Sequence, residues 1–251
     1  MSKDKKKIKQ QLKEIEKNSS KVFIIHYSCE HFEKDRMKSP RIFSISIKNY
    51  QSGLTTSFSI NKIAEINKVK LEDIENRYDE LEKSMLTEYF EFIGRHKDCY
   101  YVNWRMSDVK YGFAAINHRY KVLGGEPIEI DDTRLYNLSK MIIDFYGENY
   151  IESPRLENLA KKNNINIDNF FYGEKEAKLL ENKDYTLLHS SNLKKVDVLF
   201  DILKLYINGK LKTDKNIIKI KIDEVLESSA YKVISIITTI WALISIFKIK
   251  I

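Results

Sequence analysis

The stretch VFIIHYSCE, residues 22–30, constrains the fold more than any other. Its opening apolar run does not alternate between core and water, so both faces of the segment need cover. That predicts a central strand, and a central strand needs neighbours on both edges. RIFSISIKNY (41–50) and LTTSFSI (54–60) alternate in the manner of strands, with Gln51-Ser52-Gly53 between them as a turn. They predict a hairpin directly after the first strand. CYYVNW (99–104) reads as a short buried strand, and Ile128–Ile130 as a brief extended segment.

The remaining segments have helical spacing. Residues 4–17 are charged, with a thin stripe of Ile8, Leu12 and Ile15. Residues 71–96 repeat Leu81, Met85, Leu86, Tyr89, Phe90 and Ile93 at three and four. Asp108 opens another helix, and Gly124-Gly125 closes it. Further helices are predicted over 135–146, after Pro154, and over 174–207 with a break around Asn182–Tyr185. The order of elements predicts an α/β fold with a mixed sheet flanked by helices. At 251 residues and 43% hydrophobic, the chain can bury a core of that size.

Several chemistries find no support. Cys29 and Cys99 stand apart with no Cys-x-x-Cys pair, so neither a zinc ribbon nor a disulfide framework is implied, and a reduced cytoplasmic setting fits. There is no Gly-rich phosphate loop and no Gly-x-Ser-x-Gly elbow. In an alternating strand Cys29 and His26 point to opposite faces, so they make a poor nucleophile–base pair. A net charge of +7 over 43 basic and 36 acidic residues permits a nucleic-acid partner without requiring one.

The C-terminus differs from the rest. Val233–Phe247 is fifteen residues without a charge, preceded by Lys232 and followed by Lys248 and Lys250. A spanning helix needs about 20 apolar residues, and flanking lysines and Tyr231 extend a shorter one by snorkelling. The expected organisation is a charged helix (1–18), an α/β domain (19–207), a polar linker (208–229) and a hydrophobic membrane anchor (230–251). The domain would then stand on the cytoplasmic side, anchored by its C-terminus.

Three small motifs, in this element order, resemble the RNase H-like (DEDD-type) 3'-5' exonuclease superfamily over residues 20–207. In that family the first strand ends in Asp-x-Glu, a hairpin follows, and a loop after a later strand carries Asn-x-x-x-Phe/Tyr-Asp. A late helix carries His-x-x-x-x-Asp. Here the first motif is Ser28-Cys29-Glu30, the second Asn103-Trp104-Arg105-Met106-Ser107-Asp108, and the third Asn192-Leu193-Lys194-Lys195-Val196-Asp197. Ser28 replaces an aspartate, Ser107 the aromatic residue, and Asn192 the histidine.

The resemblance implies a divalent-metal-dependent nuclease acting on single-stranded ends. Glu30, Asp108 and Asp197 would hold Mg²⁺ or Mn²⁺, with His189 as the base. It also puts Tyr27, Asn103 and Trp104 beside the nucleic acid. Asp197 falls on a stripe of Leu193, Val196, Phe200 and Leu203, where a charge needs a metal or a basic partner such as Arg105 or Arg119. Asp108 alone also reads as an N-cap. The departures at Ser28 and Asn192 open a second reading, a catalytically inactive module that binds nucleic acid or protein. The geometry separates the two: converging carboxylates indicate a metal site, and carboxylates capped by arginines indicate a binding module.

Overall fold

The computed structural model describes residues 3–30, 39–106, 111–215 and 233–241. Its centre is a five-stranded mixed sheet in the order β3-β2-β1-β4-β5. β1 (Val22–Cys29) is the middle strand, as its apolar run predicts. β2 (Ile42–Asn49) and β3 (Thr55–Ser59) form the predicted antiparallel hairpin on one side. Gly53 makes the turn with φ +70°, and the Asn49 side chain accepts from the amides of Gln51 and Ser52. β4 (Tyr100–Asn103) and β5 (Leu135–Asn137) lie parallel on the other side.

The strand at β5 departs from expectation. The segment from Leu135 was predicted as helix, and 128–130 as the extended piece. Instead Leu135–Asn137 pairs with Tyr101–Asn103, and the helix α5 begins at Leu138 and runs to Tyr146. The Asn137 side chain marks the boundary by accepting from the Lys140 amide at 3.1 Å. Periodicity alone did not show this, because a strand residue and a helix cap occupy the same short run.

The two faces of β1 enter different cores. Phe23, Ile25 and Tyr27 face α2 (Ile60–Ile66), α3 (Tyr78–Arg95) and α4 (Phe113–Val122). Val22 and Ile24 face the opposite layer, built from α1 (Lys3–Lys17), α5, α6 (Arg155–Lys162) and α8 (Tyr185–Ile207). His26 and Ser28 continue this second face, so the strand turns polar only on the side of α8. α7 (Glu174–Glu181) precedes α8, and the break at residues 182–184 falls where the sequence predicts it.

α1 is fastened to this layer through Ile8 and Ile15, both fully buried. The start of the expected linker is also fastened, since Leu211 is buried and the Asp214 amide donates to the Tyr150 carbonyl at 2.8 Å. Residues 233–241 are helical, with apolar side chains exposed on every face. Among the described residues, no helix is long and apolar enough to cross a membrane. The rest of the uncharged run lies outside them.

Candidate functional site at the end of the central strand

The two described carboxylates of the motifs, Glu30 near the C-terminal end of β1 and Asp197 on α8, are held by different basic partners. Glu30 follows the strand, where the Arg41 guanidinium takes it at 2.6 Å, and the Arg41 amide donates to its second oxygen at 3.2 Å. The same guanidinium reaches Glu75 at 3.2 Å and lies over the Tyr78 ring at 4.1 Å. Tyr185 donates from its hydroxyl to the other oxygen of Glu75. Glu30 is therefore one acceptor in a part-buried network that ties the end of β1 to α3 and α8.

Asp197 is on a different side of α8. Its carboxylate pairs with Lys48 of β2 at 2.7 Å, and its side chain is 44% exposed. The buried face of the helix is centred on Leu188, Asn192, Lys195, Leu199 and Ile202. Leu193 and Phe200, which suggested otherwise in sequence, are only half-buried. The shift of one residue turns Asp197 out of the stripe by about 100°. Its partner is a lysine 149 positions away in sequence, not Arg105 or Arg119. Arg119 instead meets Glu82 in the core and reaches Asp79 at 2.6 Å. Asp108, with Ser107, lies outside the described residues.

The expected base and stacking residues are also committed elsewhere. His189 is buried, and its Nε2 lies 3.0 Å from the Ser57 hydroxyl of β3. Burial, with the Lys62 charge adding, pulls its pKa down to about 4. Tyr27 stacks on Tyr111 at 4.7 Å, and its hydroxyl accepts from the Gly112 amide at 2.9 Å. Trp104 is buried in the α8-side core. Neither ring offers an open face to a base. The Asn103 side chain accepts from the Met106 amide at 3.0 Å, which shapes the start of the loop after β4.

What faces Ser28 is Asn192. Its Nδ2 donates to Ser28 Oγ and to the Ser44 carbonyl, each at 3.1 Å. One turn along, the Lys195 ammonium lies 2.6 Å from Glu176 of α7, and Ser28 donates to the same carboxylate oxygen at 3.4 Å. His26 completes the polar face of β1, cross-strand from Ser46, as Ser28 is from Ser44. Burial, helped by the Lys195 charge, lowers the His26 pKa to about 3, so the ring is neutral. On the opposite face burial pushes the Cys29 thiol up to about 12, which removes it as a nucleophile at neutral pH.

This donor set does not suit a divalent metal. Mg²⁺ and Mn²⁺ take carboxylates, carbonyls and water. Among the described residues, the end of β1 offers a serine, an amide and an ammonium, and the two carboxylates near it, Glu176 and Glu30, are bound to Lys195 and Arg41. Among the described residues, no three His, Cys, Asp or Glu side chains cluster in a way that would hold a metal.

Lys195 and Glu176 were not singled out by the motifs. A signal for Lys195 does exist in sequence, since it falls three residues after Asn192 and four before Leu199 on one helical face. Glu176 carries no such mark, because α7 buries no residue fully. The described residues of the domain thus form a mixed sheet between two helical layers, with a polar, lysine-centred cluster at the end of the central strand. Compared with protein-family models, curated proteins and solved structures, the chain matches none of them.

Proposed function

We propose that this chain is an RNase H-like domain that binds single-stranded nucleic acid without hydrolysing it, tethered to a membrane by its C-terminal run. The observation that carries this reading is the Lys195 ammonium beside Ser28 and Asn192, at the place where the resemblance calls for metal-binding carboxylates. In a metal-dependent nuclease the cation neutralises phosphate and activates water. A lysine supplies the first service and not the second. The element order of first strand, hairpin, long helix, strand, helix and late helix supports the fold assignment.

Negative charge facing phosphates opposes binding. Glu30 and Asp197 do not present it, because Arg41 and Lys48 neutralise them within the fold. The exposed apolar helix at 233–241, inside an uncharged run of fifteen residues, supports the tether.

The test is to incubate the full-length protein in detergent with end-labelled single-stranded DNA and RNA, in Mg²⁺, Mn²⁺ or EDTA. The expected result is a retarded, intact strand in all three, unchanged in Asp197→Ala. Metal-dependent shortening of the strand, lost in Asp197→Ala, would refute the proposal and restore the nuclease.

A further inference from the structure

Lys195 is buried to 93% of its side chain and has an anion from another helix upon it. A buried ion pair is weak evidence of a stabilising role, since apolar residues of the same volume serve as well or better. The surroundings of this one are polar beyond the needs of the pair. His26 Nδ1, Ser44 Oγ, Ser46 Oγ and Asn192 Oδ1 are buried and have no hydrogen-bond partner among the described residues. His26, Ser44 and Ser46 share the face of β1 and β2 that Asn192 touches. Four orphaned polar atoms on one face are costly in a core that serves packing alone.

The anion comes from α7. α7 buries none of its eight residues fully, although Leu179 and Leu180 rest on the core. Left-handed residues stand at its two ends, Gly173 at φ +58° and Lys183 at φ +56°. Glu176 presents to Lys195 and Ser28 what a phosphodiester would present: an anionic oxygen that accepts from an ammonium and a hydroxyl.

We propose that Lys195, Ser28 and Asn192 form a binding site for one backbone phosphate of a single strand, and that Glu176 occupies it as an internal anion until the strand displaces α7. This rests on the nucleic-acid reading above and adds the contact and its control. Lys195 then takes the phosphate as a point charge, Ser28 donates to a second oxygen, and Asn192 holds Ser28 in place.

The experiment is an anisotropy titration of a labelled single-stranded oligonucleotide with the full-length protein in EDTA, across a range of salt. Parent, Glu176→Gln, Lys195→Met and the double variant are compared, with inorganic phosphate as a competitor. Removing the internal anion is expected to tighten binding about fivefold in Glu176→Gln. Lys195→Met is expected to weaken it and to reduce the salt slope by about 0.7, the value of one phosphate contact on a single strand. Glu176→Gln keeps its shape, so it tests the proposal even where Lys195→Met fails to fold.

If the parent binds and a folded Glu176→Gln binds no tighter, the Lys195 site is refuted while the nucleic-acid reading stands. Binding by Glu176→Gln alone supports both. No binding by any folded protein, at any salt, refutes both. Competition by inorganic phosphate at low concentration, with no preference for the strand, would assign the site to a free anion and overturn the strand contact.

Discussion

Two neutral histidines in the core make this protein sensitive to mild acid, and the size of the effect follows from their surroundings. Burial lowers His26 from 6.5 to about 3, with the Lys195 charge contributing, and lowers His189 to about 4. Both folded values lie below the unfolded one. The unfolded chain therefore takes up protons first as pH falls, so the stabilisation is complete above pH 6.5 and is lost towards about 4 and about 3. At about pH 5 each imidazole is protonated in the unfolded chain and neutral in the fold, which costs about 2 kcal/mol per residue. Their sum, about 4 kcal/mol, is a large share of the 5–15 kcal/mol of a typical domain.

Urea unfolding of the parent, His26→Gln and His189→Gln at about pH 7 and pH 5 measures it. Each variant is expected to lose about 2 kcal/mol less than the parent over that interval. Glu75, held low against its own burial by Tyr185 and Arg41, loses its contribution below the window. Glu82 and Asp201 are raised by burial and titrate with the opposite sign. Neither variant touches them, so they cancel in the comparison of parent with variant. A His26→Gln protein with the parent's full pH dependence would refute the argument.

The Glu82–Arg119 pair gives a second prediction. Glu82 is fully buried, accepts from the Ile42 amide at 2.6 Å and takes the Arg119 fork on both oxygens. Arg119→Met leaves an uncompensated core carboxylate and is expected to cost about 3–5 kcal/mol in urea unfolding, while Arg119→Met with Glu82→Gln recovers much of it. The tail gives a third. Full-length protein is expected to float with liposomes in a density gradient, and Ile237→Lys with Ile240→Lys is expected to release it.

The strands of the central hairpin were legible because their apolar periodicity is set by burial on known faces. The pairing of Leu135–Asn137 was not, since three residues carry too little periodicity to separate a strand from the helix that follows. The meeting of the first motif with the late helix was legible, and the side chains that meet there were not. The end of β1 is where the first motif put it, and Ser28 does meet the late helix. The residue that meets it is Asn192, however, and the aspartate five positions on is turned away to Lys48. A helical stripe read from Leu193 and Phe200 was rotated by one residue because α8 is covered on several sides at once. In such a helix half-buried apolar flanks look like the centre of the face.

That rotation decides the chemistry. With Asn192 against Ser28, the next residue on the buried face is Lys195, so the late helix sends an ammonium to the end of the central strand. The end of β1 already lacks the first carboxylate of the motif, and a second positive charge from a metal would meet Lys195 at close range. A serine at position 28 and an ammonium at position 195 are therefore mutually consistent. The anion that balances Lys195 comes from α7, which is held to the core by two part-buried leucines and by that ion pair. Charge balance at the end of β1 thus rests on the Glu176 carboxylate, which Lys195 and Ser28 share. Adding a phosphate and removing the Glu176 charge should act on the ion pair in the same direction.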